Sequence, residues 1–483
     1  MVFLGWLYFI DIAQAQNPLT WTPQENIPGF AESANPPVLL RDTLNRVHAL
    51  FSQPIGGENA IVALHYSRWT LDGGWNEPVD VILPPVKGQA RILDALLDDE
   101  GSIHTIFFAG DEGGAYVYYS HADMDEADQA QAWSEPVIIG NNANVFESGA
   151  LVGLDEGNLL AIFSGTSIGP GVYAVTTKDR GLNWEASYPI YLTNDPLHVP
   201  SGLKMTASAS GLVHAVWDLV DISGVGRAIY YIKYSQVDTI WGNPQILATT
   251  DSGLGLKLPN IAEHNNELFV FYYFNGPMIF RRSIDYGESW TDPQAPFPHV
   301  GLNGPVSFAS DSKNELHVFW GQRISGRPDI HGMWHSRWLG DEWSQFEAVV
   351  SGPRNADREG LDAFDPTAPN STSIDGDVLL VVWRSDYGLR PNGVWYSHTS
   401  MSDLISAALP VSLATQNTPT ATTQPTVSAS ATIEIIATEI NDKIQNDNYI
   451  SNTNPTFQVV VSIIPICITV LLIVAVKILS KKY

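Results

Sequence analysis

The stretch Ser283–Trp290, "SIDYGESW", sits between the apolar runs "LFVFYYF" and "PQAPF". A serine, an aspartate, a glycine and a tryptophan in eight residues suit either a catalytic cluster or a tight turn. A second copy, "TKDRGLNW", occupies Thr177–Trp184. Both fit the pattern Ser/Thr-x-Asp-x-Gly-x-x-Trp, and local chemistry accounts for every fixed position without catalysis. Gly287 and Gly181 supply positive φ for a tight hairpin. Asp285 and Asp179 accept bonds from backbone N–H groups, as Asx-turns do, and Ser283 or Thr177 bonds in the same way. Trp290 and Trp184 bury a large ring against a neighbouring sheet and leave an indole N–H for a partner. The stretch therefore reads as a structural turn, and its position marks a repeat.

The repeat extends through the folded region, residues 16–411. A turn followed by apolar-His-x-apolar-aromatic recurs as "NRVHALF" (His48), "GSIHTIF" (His104), "GLVHAVW" (His214) and "NELHVFW" (His317). The same pattern without histidine recurs around Leu160, Phe269 and Leu380. Six intervals separate position 48 from position 380, a mean period of about 55 residues. An apolar strand precedes each copy, an aromatic-rich strand follows, and then comes a Trp-led segment such as "WNEPVDVI" or "WTDPQAPF". Strands in groups of four at this period predict an all-β propeller. Seven Trp-led segments begin at Trp21, Trp75, Trp133, Trp184, Trp241, Trp290 and Trp343, the first ahead of any other strand. The last repeat lacks one, so "WTPQENI" is expected to supply its outer strand and close the ring. Seven blades is the expectation. Six is the alternative, if one repeat is an insertion or "ISAALPV" closes its own blade. The four histidines share one position on different blades and are expected to be structural rather than metal ligands. No metal or cofactor is expected.

The two turns, with their degenerate relatives "TLDGGW", "QVDTIW" and "WLGDEW", resemble the Asp-box, or BNR, repeat of sialidases and related propellers, and the resemblance covers the whole folded region. It implies that the turns lie away from an active site. It also implies a substrate carboxylate held by three arginines, a Tyr nucleophile activated by a Glu, and an Asp acid/base. Planar, permanently charged guanidinium forks suit such a carboxylate. The family's Phe/Tyr-Arg-Ile-Pro signature has its nearest match in "ARILDAL", with Arg91 and Leu93 in place of the proline. Arg91 stands where an inner strand begins. Asp94, three residues on, should face the other way. The remaining catalytic candidates are Arg281, Arg282, Arg354 and Arg358. Arg91, Lys204 and Lys257 all stand near inner-strand starts and are the candidates for binding an anionic sugar. The expectation is a glycan or glycoprotein ligand at the central mouth. The alternatives are an exo-sialidase-type glycoside hydrolase and a structural cell-surface protein.

Composition narrows the setting. The 483 residues carry 52 acidic and 25 basic side chains, a net charge of −27, which disfavours nucleic acid. One cysteine, Cys467, excludes an intramolecular disulfide. Residues 1–15 form a signal-peptide-like segment that lacks a basic start. Residues 412–456, first Thr/Ser/Pro-rich and then Asn-rich, read as a disordered stalk. Within 457–479, Val459–Val476 is uncharged and long enough to span a bilayer. Lys477, Lys481 and Lys482 follow it, so the positive-inside rule puts the tail 480–483 in the cytosol and the rest outside the cell.

Overall fold

The computed structural model describes residues 19–401, apart from residues 32–33, 57–60, 86–87, 112–113, 142–146, 222, 252, 254, 303, 354–364, 375–376 and 386–392. The chain divides into units Met1–Ala408 and Leu409–Tyr483, and every described residue belongs to the first. The expected signal peptide, stalk, membrane helix and tail lie outside the described residues. Among those described, no helix is long and apolar enough to cross a membrane.

The fold is all-β, built from antiparallel strand groups in chain order. Group 1 holds Val38–Arg41, Arg46–Ile55 and Ile61–Thr70, with Gly74–Trp75 and Val79–Ile82 on its outer edge. Group 2 holds Gln89–Leu97, Ser102–Asp111, Gly114–Asp123 and Val137–Asn141. One parallel bridge, Val62 to Gln89, links these two. Group 3 holds Gly149–Gly153, Leu159–Gly165, Gly171–Thr177 and Tyr188–Leu192. Group 4 holds His198–Ala207, Leu212–Asp221 and Gly226–Ser235, edged by Ile240–Trp241 and Gln245–Thr249. Group 5 holds Leu256–His264, Glu267–Phe274 and Met278–Ser283. Group 6 holds His299–Val300 and Ser307–Ser310 beside Leu316–Ile324, then Arg327–Arg337 and Glu347–Pro353. Group 7 holds Pro366–Ile374, Val378–Ser385 and Val394–Ser400, and its outer strand is Glu25–Asn26 from the start of the described chain. Thr22 N–H donates to the His398 carbonyl and Ile27 N–H to that of Val394, extending this closure on both sides. The sequence pattern had assigned this strand to the same place.

The core lies between the groups rather than within one layer. Seven apolar clusters each join two consecutive groups, and one of them joins group 7 to group 1. The aromatic that ends each repeat pattern is the centre of this packing: Phe51, Phe107, Phe163, Trp217, Tyr272, Trp320 and Trp383 are all buried. Truncating such a side chain costs about 3–5 kcal/mol.

At one end of every group, here called the base, the first strand turns into the second, and the chain leaves the third strand at the same end. The two Asp-box turns lie there. In Thr177–Trp184, Thr177 Oγ1 donates to Asp179 Oδ1 (2.7 Å) and accepts from Gly181 N–H (3.1 Å), while Asp179 accepts from Asn183 N–H (2.8 Å). In Ser283–Trp290, Ser283 Oγ donates to Asp285 (2.7 Å) and accepts from Gly287 N–H (2.8 Å), and Asp285 accepts from Ser289 N–H (2.9 Å). These bonds hold the Asp285 carboxyl down at about 2, the Ser289 hydroxyl contributing most.

Each turn also docks on the preceding group. Tyr119 OH donates to the Arg180 carbonyl and Tyr231 OH to the Tyr286 carbonyl, both at 3.2 Å. The hydroxyls lie so close that a Cβ on Gly181 or Gly287 would sit 1.9 Å from one. Trp184 packs edge-on against Tyr119 (4.9 Å) and Trp290 against Tyr231 (5.1 Å). Their indole N–H groups, expected to find partners, find none among the described residues. The same tyrosines meet the repeat histidines: His104 Nδ1 to Tyr119 and His214 Nδ1 to Tyr231, each 2.7 Å, as His48 meets Tyr66. Buried and hydrogen-bonded within their groups, these three histidines tie strand to strand.

Candidate functional site

The opposite end, the mouth, is where each first strand starts and each second strand ends. Four first strands carry a bulge at this level: between Ile92 and Asp94, Ser201 and Lys204, Lys257 and Asn260, and Thr367 and Asn370. The bulges align "RILD", "SGLK", "KLPN" and "TAPN", a correspondence hidden by their low identity. A bulge re-aims side chains and breaks the alternation of a strand. Leu258 and Ala368 pass through it at φ +57° and +48°, a left-handed conformation that costs a non-glycine residue about 1 kcal/mol or more.

The fourth residue of the motif clips one group to the next. Asp94 accepts from the backbone N–H of Leu151, in group 3, and of Ala95, both at 2.9 Å. Asn260 Nδ2 donates to the Val306 carbonyl (2.6 Å) and Asn370 Nδ2 to that of Pro37 (2.8 Å). Burial raises the Asp94 carboxyl, and the nearby Lys204 ammonium opposes that rise. Lys204 occupies the clip position of group 4.

The first residue of the motif carries Arg91 in group 2 and Lys257 in group 5. Arg91 bonds Gln89 Oε1 (3.0 Å from Nε) and lies 3.4 Å from the Glu147 carboxylate. The next residue, Ser148, accepts Leu203 N–H on its hydroxyl (2.7 Å), one position before Lys204. Asp218, buried at the end of a group 4 second strand, accepts Leu258 N–H (2.9 Å), one position after Lys257. Burial lifts the Asp218 carboxyl to about 6 and lowers the Lys257 ammonium, while the two charges attract. Three links thus join neighbouring groups at the mouth: Arg91 to Glu147 between groups 2 and 3, Ser148 to Leu203 between groups 3 and 4, and Asp218 to Leu258 and Lys257 between groups 4 and 5. Lys204 and Lys257 are half-buried and make no ion pair among the described residues. Tyr273, opposite Lys257 in register, has a buried hydroxyl without a partner, and burial raises its pKa.

Groups 6 and 7 meet the mouth differently. His299 is buried among Trp320, Trp334 and Phe346 with both ring nitrogens unpartnered, and burial lowers it to about 3. His331 pairs with Asp365. Arg323 and Arg384 stand at the same level, and Arg384 donates to Asn35 Oδ1 (2.8 Å).

The structure separates the arginines nominated from sequence. Arg281 lies on a third strand and donates to the Thr291 carbonyl (2.7 Å) and that of Leu247, fastening the Asp-box turn of group 5 to group 4. Arg282 forms a fork with Glu267 and lies over the Trp338 ring at 5.0 Å, facing group 6. Arg354 and Arg358 lie outside the described residues. Arg91, Asp94, Lys204 and Lys257 stand together along one arc of the mouth. Sequence reasoning did not single out Glu147, Asp218, Tyr273, His299 or His331. Their positions follow from strand ends, which no motif marks.

No family model matches the chain, and no curated protein matches it. Among solved structures, an ulvan lyase described as a new family of polysaccharide lyase, bound to -[GlcA(1-4)Rha3S]-, has a TM-score of 0.52 at 11% identity, over 81% of this chain and 100% of that one. A protein of unknown function from Dyadobacter fermentans gives 0.47 at 13% identity, over 79% and 99%. NanB sialidase from Streptococcus pneumoniae gives 0.43 at 13% identity, over 80% and 71%. The likeness to the lyase is one of fold alone. The shared fold is all-β.

Proposed function

We propose that the seven strand groups are the blades of a closed ring and that its mouth binds an acidic glycan. The observation that carries this reading is the pair of half-buried lysines, Lys204 and Lys257, without ion-pair partners among the described residues in a chain of net charge −27. Each ammonium stands near a carboxyl that burial raises, Lys204 near Asp94 and Lys257 near Asp218, and bonds none directly among the described residues, so an anionic ligand can supply the direct partner. Arg91, at the same level, adds a third cation. A protein of the same fold was solved with a uronic-acid-containing saccharide, which is in keeping with that ligand class. Residues 457–479 would anchor the ring outside the cell through the stalk 412–456.

The test is binding of sialyllactose, uronic acid oligosaccharides and neutral oligosaccharides to the full chain. Acidic sugars are expected to bind, and Lys204→Ala with Lys257→Ala is expected to weaken them at least ~10-fold, the loss of two charge-assisted contacts. Equal binding of neutral sugars, or no effect of the double substitution, would refute the reading.

A second reading, a glycan-cleaving enzyme, rests on Asp218. A carboxyl at about 6 beside a lysine can carry a proton at neutral pH. Turnover of a fluorogenic sialoside or an acidic polysaccharide, abolished by Asp218→Asn with binding retained, would establish it.

A further inference from the structure

The repeat histidines at the base differ in one group, and the difference has a chemical consequence. In groups 1 and 2 an aspartate stands six residues before the histidine. Asp42 Oδ2 lies 3.2 Å from His48 Nε2, and Asp98 Oδ2 lies 3.2 Å from His104 Nε2. The same oxygen meets a guanidinium in both cases: Arg46 on Asp42, and Arg180 on Asp98 at 2.8 Å. Each of these carboxylates therefore has a cation. In group 6 the aspartate and histidine recur as Asp311 and His317, but the position of Arg46 is taken by Glu315. Arg337 is engaged by Glu315 (2.7 Å). Among the described residues no cation bonds Asp311. Asp311 Oδ2 and His317 Nε2 are both buried, both without a hydrogen-bond partner, and 3.7 Å apart.

The partner of Nδ1 differs as well. In group 1 a tyrosine hydroxyl can donate to Nδ1, which leaves Nε2–H for the aspartate. In group 6 that tyrosine is replaced by His335, whose Nε2 lies 2.8 Å from His317 Nδ1. His335 Nδ1 lies 2.9 Å from the Glu347 carboxylate, which can only accept. A neutral His335 therefore donates to Glu347 and accepts from His317 Nδ1–H. That leaves a lone pair on His317 Nε2, aimed at a carboxylate. Ligand atoms of Asp311, Glu315 and His317 all lie within 4.8 Å of one another. His264 of group 5 is close enough to interact electrostatically with Asp311 and His317.

We propose that Asp311, Glu315 and His317 bind a divalent transition metal ion, with zinc as the probe, and that it clips the base of group 6. One imidazole nitrogen with two carboxylates suits zinc and its first-row neighbours. Calcium and magnesium prefer an all-oxygen shell, so they are disfavoured. The chain from His317 through His335 to Glu347 is the outer-shell support that metal-bound histidines have, fixing the tautomer that presents Nε2. The sequence reading held all four repeat histidines to be structural, and the proposal sets His317 apart from the other three.

The experiment uses the full chain, stripped with chelator and titrated with zinc in a zinc-buffered solution by calorimetry. One zinc per chain is expected. Glu315→Arg copies group 1 by placing a guanidinium beside Asp311, and Glu315→Ser copies Ser102 of group 2. Each is expected to weaken zinc at least ~10-fold, with the circular dichroism melt showing a folded protein. If Glu315→Arg does not fold, Glu315→Ser carries the test. Zinc bound equally well by a folded Glu315 variant would place the ion elsewhere and overturn the proposal, as would the absence of saturable zinc binding.

Discussion

Tyr231 and Tyr273 are both fully buried tyrosines on the strands of neighbouring groups, one towards the base and one towards the mouth. The Tyr231 hydroxyl meets His214 at 2.7 Å and the Tyr286 carbonyl at 3.2 Å. The Tyr273 hydroxyl meets nothing among the described residues. The contrast extends to the acids. At the base, Asp285 is held ionised by the turn around it, while at the mouth Asp218 is buried with one backbone donor and its carboxyl rises to about 6. In this pair of groups the tyrosine and the acid of the base turn are completed by their neighbours, while the tyrosine and the acid of the mouth are not. A buried group without a partner costs stability, and it is retained where a ligand can supply the missing bond.

Substitutions at the two ends should therefore act with opposite sign. The largest loss is expected at the base from Gly287→Ala. It forces alanine to φ +82° and sets its Cβ 1.9 Å from the Tyr231 hydroxyl. Backbone strain and overpacking together should cost about 4 kcal/mol in denaturant unfolding. A loss under about 1 kcal/mol would show that the docking of turn on tyrosine is loose.

The next effect is a gain, at the mouth. The Asp218 carboxyl is raised above its ordinary value, so the folded state binds the extra proton between about pH 4 and pH 6. Its ionisation costs nothing below that window, progressively more as pH rises through it, and the full amount above pH 6. Asp218→Asn is expected to stabilise the chain by up to about 3 kcal/mol at pH 7 and by little at pH 4. Unfolding curves at the two pH values test it, and a gain independent of pH would contradict the assignment.

The tyrosine pair gives the closest comparison. Tyr231→Phe removes a hydroxyl that serves two partners and should cost about 1–2 kcal/mol. Tyr273→Phe removes one that serves none and should be neutral or stabilising by about 1 kcal/mol. Equal losses would mean that the two ends do not differ in kind. The smallest effect is expected from Asp285→Asn. Its carboxyl is depressed, so the stability it adds is present above the ordinary carboxylate range and lost as pH falls towards 2. The variant's acid unfolding limb should be slightly flatter between those values.

The architecture was legible because it is written in repeated sequence. The buried aromatic from Phe51 to Trp383 recurs at a near-constant interval, and each copy needs the same neighbour on either side. The Asp-box glycines were legible for a local reason, since φ and side-chain chemistry are fixed within eight residues. The closing strand Glu25–Asn26 could be inferred by counting tryptophans. The mouth was only half legible. Arg91, Lys204 and Lys257 could be placed by aligning strand starts, but Asp218 and Tyr273 lie at strand ends with no fixed companion. The aligned bulges show why: "RILD" and "KLPN" share a backbone path and almost no residues. Arg281 and Arg282 illustrate the reverse. Adjacent in sequence, they suggested a cationic site, and each is engaged by a different neighbour, one a turn and the other a glutamate.

The two-residue strand that closes group 7 brings Thr20 and Thr399 within a hydrogen bond of each other, Thr399 Oγ1 donating to the Thr20 carbonyl at 2.8 Å. The covalent order of the groups is thus separable from their spatial order. A circular permutant that joins these two points through a short linker and opens between groups 3 and 4 would keep every sheet whole, with new ends in the exposed loop 193–197.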